Sequence, residues 1–175
     1  MVETFDPPLP WTDEVETPLT SFRGTVRPEW IDEFGHVNTA HYVTIGDHAN
    51  WAFWNWINHP LGSPAHRAGH EYVVVESHVH YLDELALGAP IEVTTQLVGF
   101  DDKRYVLFHR IWRRQDEDTL AATNEVKVLA FDLGQRRAER WSTAVADRLA
   151  RVHDAHRHLD RPDVSGKGIT VGRAR

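Results

Sequence analysis

The run from Trp30 to Tyr42, WIDEFGHVNTAHY, sets a lone carboxylate, Asp32, three residues before a glycine and six before Asn38. A carboxylate can attack a carbonyl carbon or activate water against it. The oxyanion that forms in either case is stabilised by unpaired backbone N–H groups at a helix N-terminus. Asn38 has the side chain of a helix N-cap, and after it Tyr42, Ile45, Ala49, Phe53 and Trp56 recur at intervals of three and four, which is helical spacing. The pattern therefore points to acyl-transfer chemistry, with Asp32 as nucleophile or general base and the N–H groups of the helix start as oxyanion donors; an ordinary loop entering a capped helix, with Asp32 a solvated turn residue, is the bland reading of the same residues. Two other carboxylates compete for the role of Asp32: Asp47 on the same helix and Glu76 on the strand that follows.

A second cluster lies further along that helix. Asp47, Trp51 and Trp54 are spaced by four and three and share one face, and an acid beside two indoles is a receptor for a quaternary ammonium group. Core packing is the bland reading of the same residues. The basic residues Lys103, Arg104, Arg110, Arg113, Arg114, Arg136, Arg137 and Arg140 could meet the phosphates of a nucleotide-bearing substrate. Lys103 and Arg104 are the foremost candidates.

The elements that must position these groups follow from periodicity. Residues 20–26 form a short strand stopped by Pro28, and residues 40–58 form the long helix. A His/Gly/Pro-rich loop then runs through Gly69. Tyr72 to Leu82 alternates, placing Val73, Val75, Val79 and Tyr81 on one face and Glu76, His78 and His80 on the other. Residues 91–99, 104–113 and 120–131 are β-rich runs joined by short polar turns, an antiparallel meander. Ser142 caps a last helix with Val145, Leu149, Val152 and His156 on one face. Trp51, Phe53, Trp54 and Trp56 surround much of the long helix, so a sheet must wrap it. Apolar residues on both strand faces call for a second subunit over the outer one.

The chain has 175 residues, 41% of them hydrophobic, and no cysteine, enough for one core without disulfides or a thiol nucleophile. Net charge is −7, with 3 Lys/Arg against 9 Asp/Glu in residues 1–70, which argues against a nucleic-acid binder. Neither a secretory leader nor a membrane-length apolar run is visible, so a cytoplasmic protein is expected. Residues 1–18, rich in proline and acids, read as an extended arm that needs a surface to order it. Residues 19–160 read as the domain, and residues 161–175 as a flexible tail. The 12 histidines include no HExxH, so no metal is expected. The segment Gly166-Lys167-Gly168 is not a P-loop, and no G-x-S-x-G elbow is present.

Asp32-Glu33-Phe34-Gly35-His36-Val37-Asn38 with Tyr42 resembles the D-x-x-G-H-V-N loop of the hot-dog-fold acyl-CoA thioesterases of the 4-hydroxybenzoyl-CoA thioesterase type. His80 to Leu85 with Gly88, and Ala122 to Glu125, support the likeness, which covers residues 25–132. Glu29 to Asp32, Lys103-Arg104 and Phe108-His109-Arg110 are similar, more narrowly, to the betainyl-CoA thioesterases of carnitine breakdown. The resemblance implies an α+β hot-dog fold, in which an antiparallel sheet wraps a long central helix, here with an additional C-terminal helix. It also implies a catalytic Asp32, an oxyanion donor at the backbone N–H of Thr39, a Gly35 that lets the main chain approach the thioester, His36 and Asn38 shaping the loop or bonding to it, and a homodimer or tetramer. The implied reaction is hydrolysis of a small acyl-CoA, betainyl-CoA in the narrower match, without a cofactor. A hydratase or dehydratase on the same fold, using His36, and a non-catalytic acyl-CoA binder are the alternatives.

Overall fold

The computed structural model describes residues 10–12, 14–61, 63, 65–115 and 117–169. Five strands, β1 (Leu19–Thr25), β2 (His70–Tyr81), β3 (Pro90–Phe100), β4 (Arg104–Arg114) and β5 (Asp118–Asp132), form an antiparallel sheet in the order β1-β3-β4-β5-β2. A two-residue strand, β6 (Arg137–Ala138), pairs with β5. The expected meander is β3-β4-β5. Helix α1 (Thr39–Asn58) packs against one face of the sheet, and α2 (Thr143–His156) packs on β3 and α1. This is the expected hot-dog arrangement. No helix among the described residues is long and apolar enough to cross a membrane.

Local chemistry explains the boundaries of the helices. Asn38 Oδ1 accepts from Ala40 N at 3.0 Å and Ser142 Oγ from Val145 N at 3.3 Å, so both helices start at side-chain caps. Along α1 the predicted stripe of Tyr42, Ile45, Ala49, Phe53 and Trp56 is buried, and from Phe53 to Asn58 every residue is buried. The sheet alone does not achieve that. Trp11 packs on Trp56 at 4.6 Å between ring centroids, and Arg148 reaches over Trp11 to donate to the carbonyls of Ile57 and His59 at 2.9 and 2.6 Å. The surface that orders the described part of the arm is thus on its own chain. At the other terminus, Glu125 accepts from Ser165 Oγ and Gly166 N at 2.5 and 2.8 Å, holding the described part of the tail against the sheet. Residues 1–9 and 170–175 lie outside the described residues.

Strand β2 departs from simple alternation. Its pairing with β5 shifts between Val74 and Glu76, with Val74 opposite Val128 and Ser77 opposite Val126. One extra residue in one strand changes which side chains face which side. Tyr72 and Val74 face α1 before the bulge, and Ser77, Val79 and Tyr81 do so after it. The expected grouping of Val73 and Val75 with Val79 and Tyr81 therefore fails at Val73, which lies opposite Leu129 and faces away from the helix.

The core between α1 and the sheet has two lobes. Tyr42, Ile45, Ala49, Val93, Ile111 and Ala122 belong to one, and Phe53, Trp56, Ile57, Leu97, Leu107 and Val126 to the other. Between them the inner row of the sheet is Thr95, His109 and Asn124, adjacent in register across β3, β4 and β5. On the helix, Gly46 sits over this row: a Cβ there would lie 2.2 Å from Asn124 Nδ2. Ser21 Oγ donates to Val93 O at 3.3 Å, so it accepts from Thr95 Oγ1, which in turn accepts from His109 Nδ1 at 2.8 Å. That chain puts the imidazole proton on Nδ1. His109 is fully buried, and desolvation pushes its pKa down to about 3.

Candidate functional site

The Asp32 loop is a small closed structure. After a 3-10 turn at Pro28–Trp30, Ile31 and Val37 form an isolated antiparallel bridge that closes the loop. Within it Asp32 N donates to His36 O at 2.9 Å and Gly35 N to Asp32 O at 3.1 Å. Gly35 has φ +86°, a left-handed conformation that strains any residue with a Cβ. Asn38 N donates to Trp30 O at 2.9 Å, so the helix cap is tied to the entry of the loop.

These bonds leave two groups available for chemistry. Asp32 is half-buried; one oxygen accepts from Phe34 N at 2.9 Å, and the other has no partner among the described residues. At the start of α1 the Ala40 N–H is taken by the cap, and the His41 N–H by Asn38 O at 2.9 Å. Thr39, as first helical residue, has no acceptor within the helix for its own N–H. Asp32, Gly35, His36, Asn38 and Thr39 therefore gather in one loop, as their spacing predicts.

The loop hangs on the β2–β3 connection. Val37 N donates to Leu85 O at 2.9 Å, His36 and Ala86 form a bridge, and His36 Nε2 lies 3.0 Å from Glu84 Oε2. Arg113, near the end of β4, holds that connection by donating to Glu84 O at 2.9 Å and Asp83 Oδ2 at 3.0 Å. Tyr81 OH donates to Thr39 O at 3.3 Å, and Tyr42 packs edge-on to Tyr81 while its own OH donates to Asp83 O. Burial raises the pKa of Tyr42. In the sequence Tyr81, Asp83 and Glu84 stand out only as part of the family likeness, with no role at the loop, and Arg113 only as one of a basic group.

Other predicted residues lie elsewhere. Glu76 faces away from α1 and pairs with Lys127 at 2.5 Å, so it is no rival to Asp32. Lys103 precedes β4 and Arg104 starts it; there Asp101 accepts from both backbone N–H groups and pairs with the Arg104 guanidinium at 2.7 Å. Arg113 lies towards the far end of that 11-residue strand, roughly 30 Å away at about 3.3 Å per residue. Within one chain, Lys103 and Arg104 are not part of the Asp32 site.

Asp47, Trp51 and Trp54 do share a side of α1, with Asp47 exposed, Trp51 half-buried and Trp54 buried. A cation is already in residence there. The Arg67 guanidinium lies 5.3 Å from the Trp51 ring centre and 5.8 Å from that of Trp54. It pairs with Glu71 at 2.8 Å and donates to Asn55 Oδ1 and Leu61 O at 3.1 and 2.7 Å, while Trp54 Nε1 donates to the other Glu71 oxygen at 2.7 Å. Along α1, Asp47 is about 12 Å and Trp54 about 22 Å from Thr39. The structure does not bring this trio to the Asp32 loop of the same chain. Among the described residues no three His, Cys, Asp or Glu side chains are grouped to hold a metal ion.

A helix wrapped by an antiparallel sheet, with a carboxylate loop at its N-terminus, defines a hot-dog protein equipped for acyl transfer. Comparison with known proteins gives the family. A model of the thioesterase-like superfamily matches residues 26–149, and the chain belongs to that superfamily. A betainyl-CoA thioesterase from Pseudomonas aeruginosa is 32% identical over 152 residues, 86% of this chain and 94% of that one. Among solved structures, a putative thioesterase from Pseudomonas putida superposes with a TM-score of 0.76 at 28% identity, covering 90% of this chain and 99% of that one. A Staphylococcus aureus protein in complex with CoA superposes with a TM-score of 0.79 at 24% identity, covering 91% of this chain and 99% of that one. The chain is an acyl-CoA thioesterase, and the hydratase and pure binder readings give way to hydrolysis.

Proposed function

We propose that the protein hydrolyses betainyl-CoA or a close cationic analogue, with Asp32 as catalytic carboxylate and Thr39 N–H as oxyanion donor. The observation that carries the catalytic assignment is the partner-free Asp32 oxygen in a loop anchored to the first turn of α1. A thioester suits so spare a site, because a thiol with a pKa of about 8.5 leaves as thiolate without a strong general acid. Asp32 either adds to the carbonyl, giving an anhydride that water opens, or takes a proton from the attacking water. Both routes end in free acid and CoA.

Charge supports a cationic acyl group. Glu33 lies in the Asp32 loop and Asp83 and Glu84 beside it; Arg113 pairs with the Asp83 carboxylate and His36 Nε2 lies 3.0 Å from that of Glu84. A positively charged substrate is attracted by such surroundings and an anionic one repelled. The name of the relative from Pseudomonas aeruginosa points the same way. Asp47 and Trp51 remain our candidates for contact with the trimethylammonium group, supplied across a subunit boundary; Trp54, already capped by Arg67, backs Trp51. Lys103 and Arg104 are proposed to meet the CoA phosphates from a neighbouring subunit.

A second copy of the chain is part of this reading. Phe34, Tyr81, Leu82 and Leu87 surround the loop with at least half of their surface exposed, and β2 is an edge strand with Val74 and Val75 exposed beside them. Apolar residues on an open sheet edge are normally covered, and a homodimer covers them here. Light scattering on the purified chain tests this, and a monomer at micromolar concentration would remove the subunit-spanning contacts.

Thiol release followed with a trapping dye tests the chemistry. Asp32→Asn keeps the oxygen that accepts from Phe34 and is expected to lower kcat by roughly a thousandfold or more, with CoA affinity nearly intact. Turnover that survives this change removes Asp32 from catalysis. Betainyl-CoA is expected to outpace the isostere with carbon in place of the ammonium nitrogen by about tenfold or more in kcat/KM. Equal rates end the cationic assignment and leave the hydrolase intact.

A further inference from the structure

We infer that the protein has a second ligand site, for a small organic monocarboxylate, on the face of the sheet turned away from α1, with Arg110 as its anion-binding residue. Thr95, His109 and Ile111 belong to the buried face, so alternation puts Thr94, Gln96, Arg110 and Trp112 on the opposite face of β3 and β4. There they line a cavity of about 590 Å³, together with residues 16–18 of the arm and with Leu159 and Asp160 after α2. Clefts for small molecules have that size.

Pairing singles out one charge in this cavity. Six charged residues line it: Glu16, Arg23, Glu92, Arg110, Arg114 and Asp160. Glu92 pairs with Arg23 at 2.8 Å and with Arg114 at 2.6 Å, and Arg114 also pairs with Asp118 at 2.6 Å. Glu16 accepts from the N–H and the hydroxyl of Thr20. Asp160 is exposed, and its backbone carbonyl accepts from Gln96 Nε2. Arg110 is half-buried and has no carboxylate partner among the described residues. Its guanidinium lies 5.0 Å from the centre of the Phe108 ring and donates to Gln96 Oε1 alone, from Nη1 and Nη2 at 3.3 Å each. Arg110 Nε is absent from the fully buried atoms that lack a partner, so its unused N–H is accessible. Burial lowers the Arg110 pKa, as it does for a guanidinium desolvated with no anion beside it. Such a planar fork matches a carboxylate through two parallel hydrogen bonds.

Thr94 adds a second donor. It lies directly opposite Arg110 in the β3–β4 register, where paired residues have Cβ atoms about 5 Å apart. Thr94 Oγ1 accepts from Trp112 Nε1 at 3.0 Å, and its own proton has no acceptor among the described residues. A carboxylate between the two residues takes the Arg110 fork and the Thr94 proton. Trp112, half-buried and two residues beyond Arg110, offers apolar surface to the body of the ligand, as does Leu159. Glu16 and Asp160 line the same cavity and repel a dianion more than a monoanion, which favours a carboxylate over a phosphate.

The acid released by thioester hydrolysis belongs to this class, and the site stands whether or not betainyl-CoA is the substrate. The test is a titration of the ¹⁵N-labelled full-length protein with sodium benzoate, following the indole N–H resonance of Trp112, assigned through Trp112→Phe. Benzoate is expected to move that resonance saturably, with a Kd in the millimolar range. Acetate, which lacks an apolar body, is expected to bind at least about threefold more weakly, and inorganic phosphate at least about tenfold. Arg110→Gln is expected to weaken benzoate about tenfold or more. Arg110→Lys keeps the charge without the fork and should fall between that variant and the unaltered protein. Asp32→Asn should leave binding unchanged. A resonance that stays fixed up to about 100 mM benzoate overturns the site. So does benzoate binding that Arg110→Gln leaves intact, a shift that Asp32→Asn abolishes, or phosphate that binds as tightly as benzoate. Light scattering tests the other occupant: if Arg110→Gln yields smaller oligomers while benzoate leaves the resonance fixed, a second copy of the chain covers this face and the ligand site is refuted.

Discussion

The two ends of α1 are built on opposite principles. At the N-terminal end a carboxylate sits in a loop held by backbone bonds, with one oxygen unpaired and exposed apolar residues around it. At the C-terminal end Arg67 and Glu71 are almost fully buried, and the Arg67 fork, the Glu71 oxygens and the Trp54 N–H are knitted together. One end leaves an oxygen of half-buried Asp32 without a partner among the described residues. The other pairs most of its polar groups internally, Arg67 Nη2 and Trp141 Nε1 being buried donors left without a hydrogen-bond partner, and stiffens the rod that carries the first. Function and stability should therefore separate along a single helix.

The widest gap between the ends should come from pairing Asp32→Asn with Arg67→Met. Removing the guanidinium leaves Glu71 buried with only the Trp54 N–H, and a buried pair broken on one side costs about 3–5 kcal/mol. Arg67→Met is expected to lower stability by that much in urea denaturation while the folded fraction keeps its kcat. The activity variant should show the reverse. If both properties fall together in Arg67→Met, the two ends are coupled more tightly than the structure implies.

Acid sharpens the comparison from the middle. His109, under the junction of the lobes, has its folded pKa lowered to about 3 by desolvation, and burial lowers that of His156 as well. His156 accepts from Leu97 N at Nδ1, 2.9 Å, and donates from Nε2 to Glu16 O, 3.0 Å, so it too is held neutral. The unfolded chain binds these protons near pH 6.5, before the folded one does. Stability is thus full above that value and drains away as pH falls from 6.5 towards 3. For His109 alone the loss by pH 5 is about 2 kcal/mol. Thermal melts at pH 7 and pH 5 measure it, and His109→Gln should flatten the difference.

The smallest effect expected is at the cap of α2. Ser142→Ala removes the acceptor for Val145 N and should cost about 1 kcal/mol in the same melts, with thioesterase activity unchanged.

Much of this was legible in the residues. The cap at Asn38, the stripe from Tyr42 to Trp56 and the meander follow from short-range patterns, and the Asp32 loop is a continuous motif. What escaped depends on distance in the chain. Arg67 lies in a loop with no period to read, yet it occupies the indoles that a receptor would have used. Arg113 and Glu84 are 29 residues apart and meet only because the sheet brings the end of β4 to the β2–β3 connection. Lys103 and Arg104 seem to belong with Arg113 when counted by charge, and the length of one strand separates them.

The irregular step in β2 also constrains how this chain can be compared with its relatives. Residues up to Val74 and from Ser77 onward obey opposite parity, so a chain lacking Val75 would keep Val79 and Tyr81 inside, whereas unbroken alternation through Val75 would present His78 and His80 to the interior instead. A relative without the extra residue must therefore be aligned with a one-position gap there, or every downstream correspondence in that strand, up to the tyrosine that touches Thr39, will name the wrong side chain.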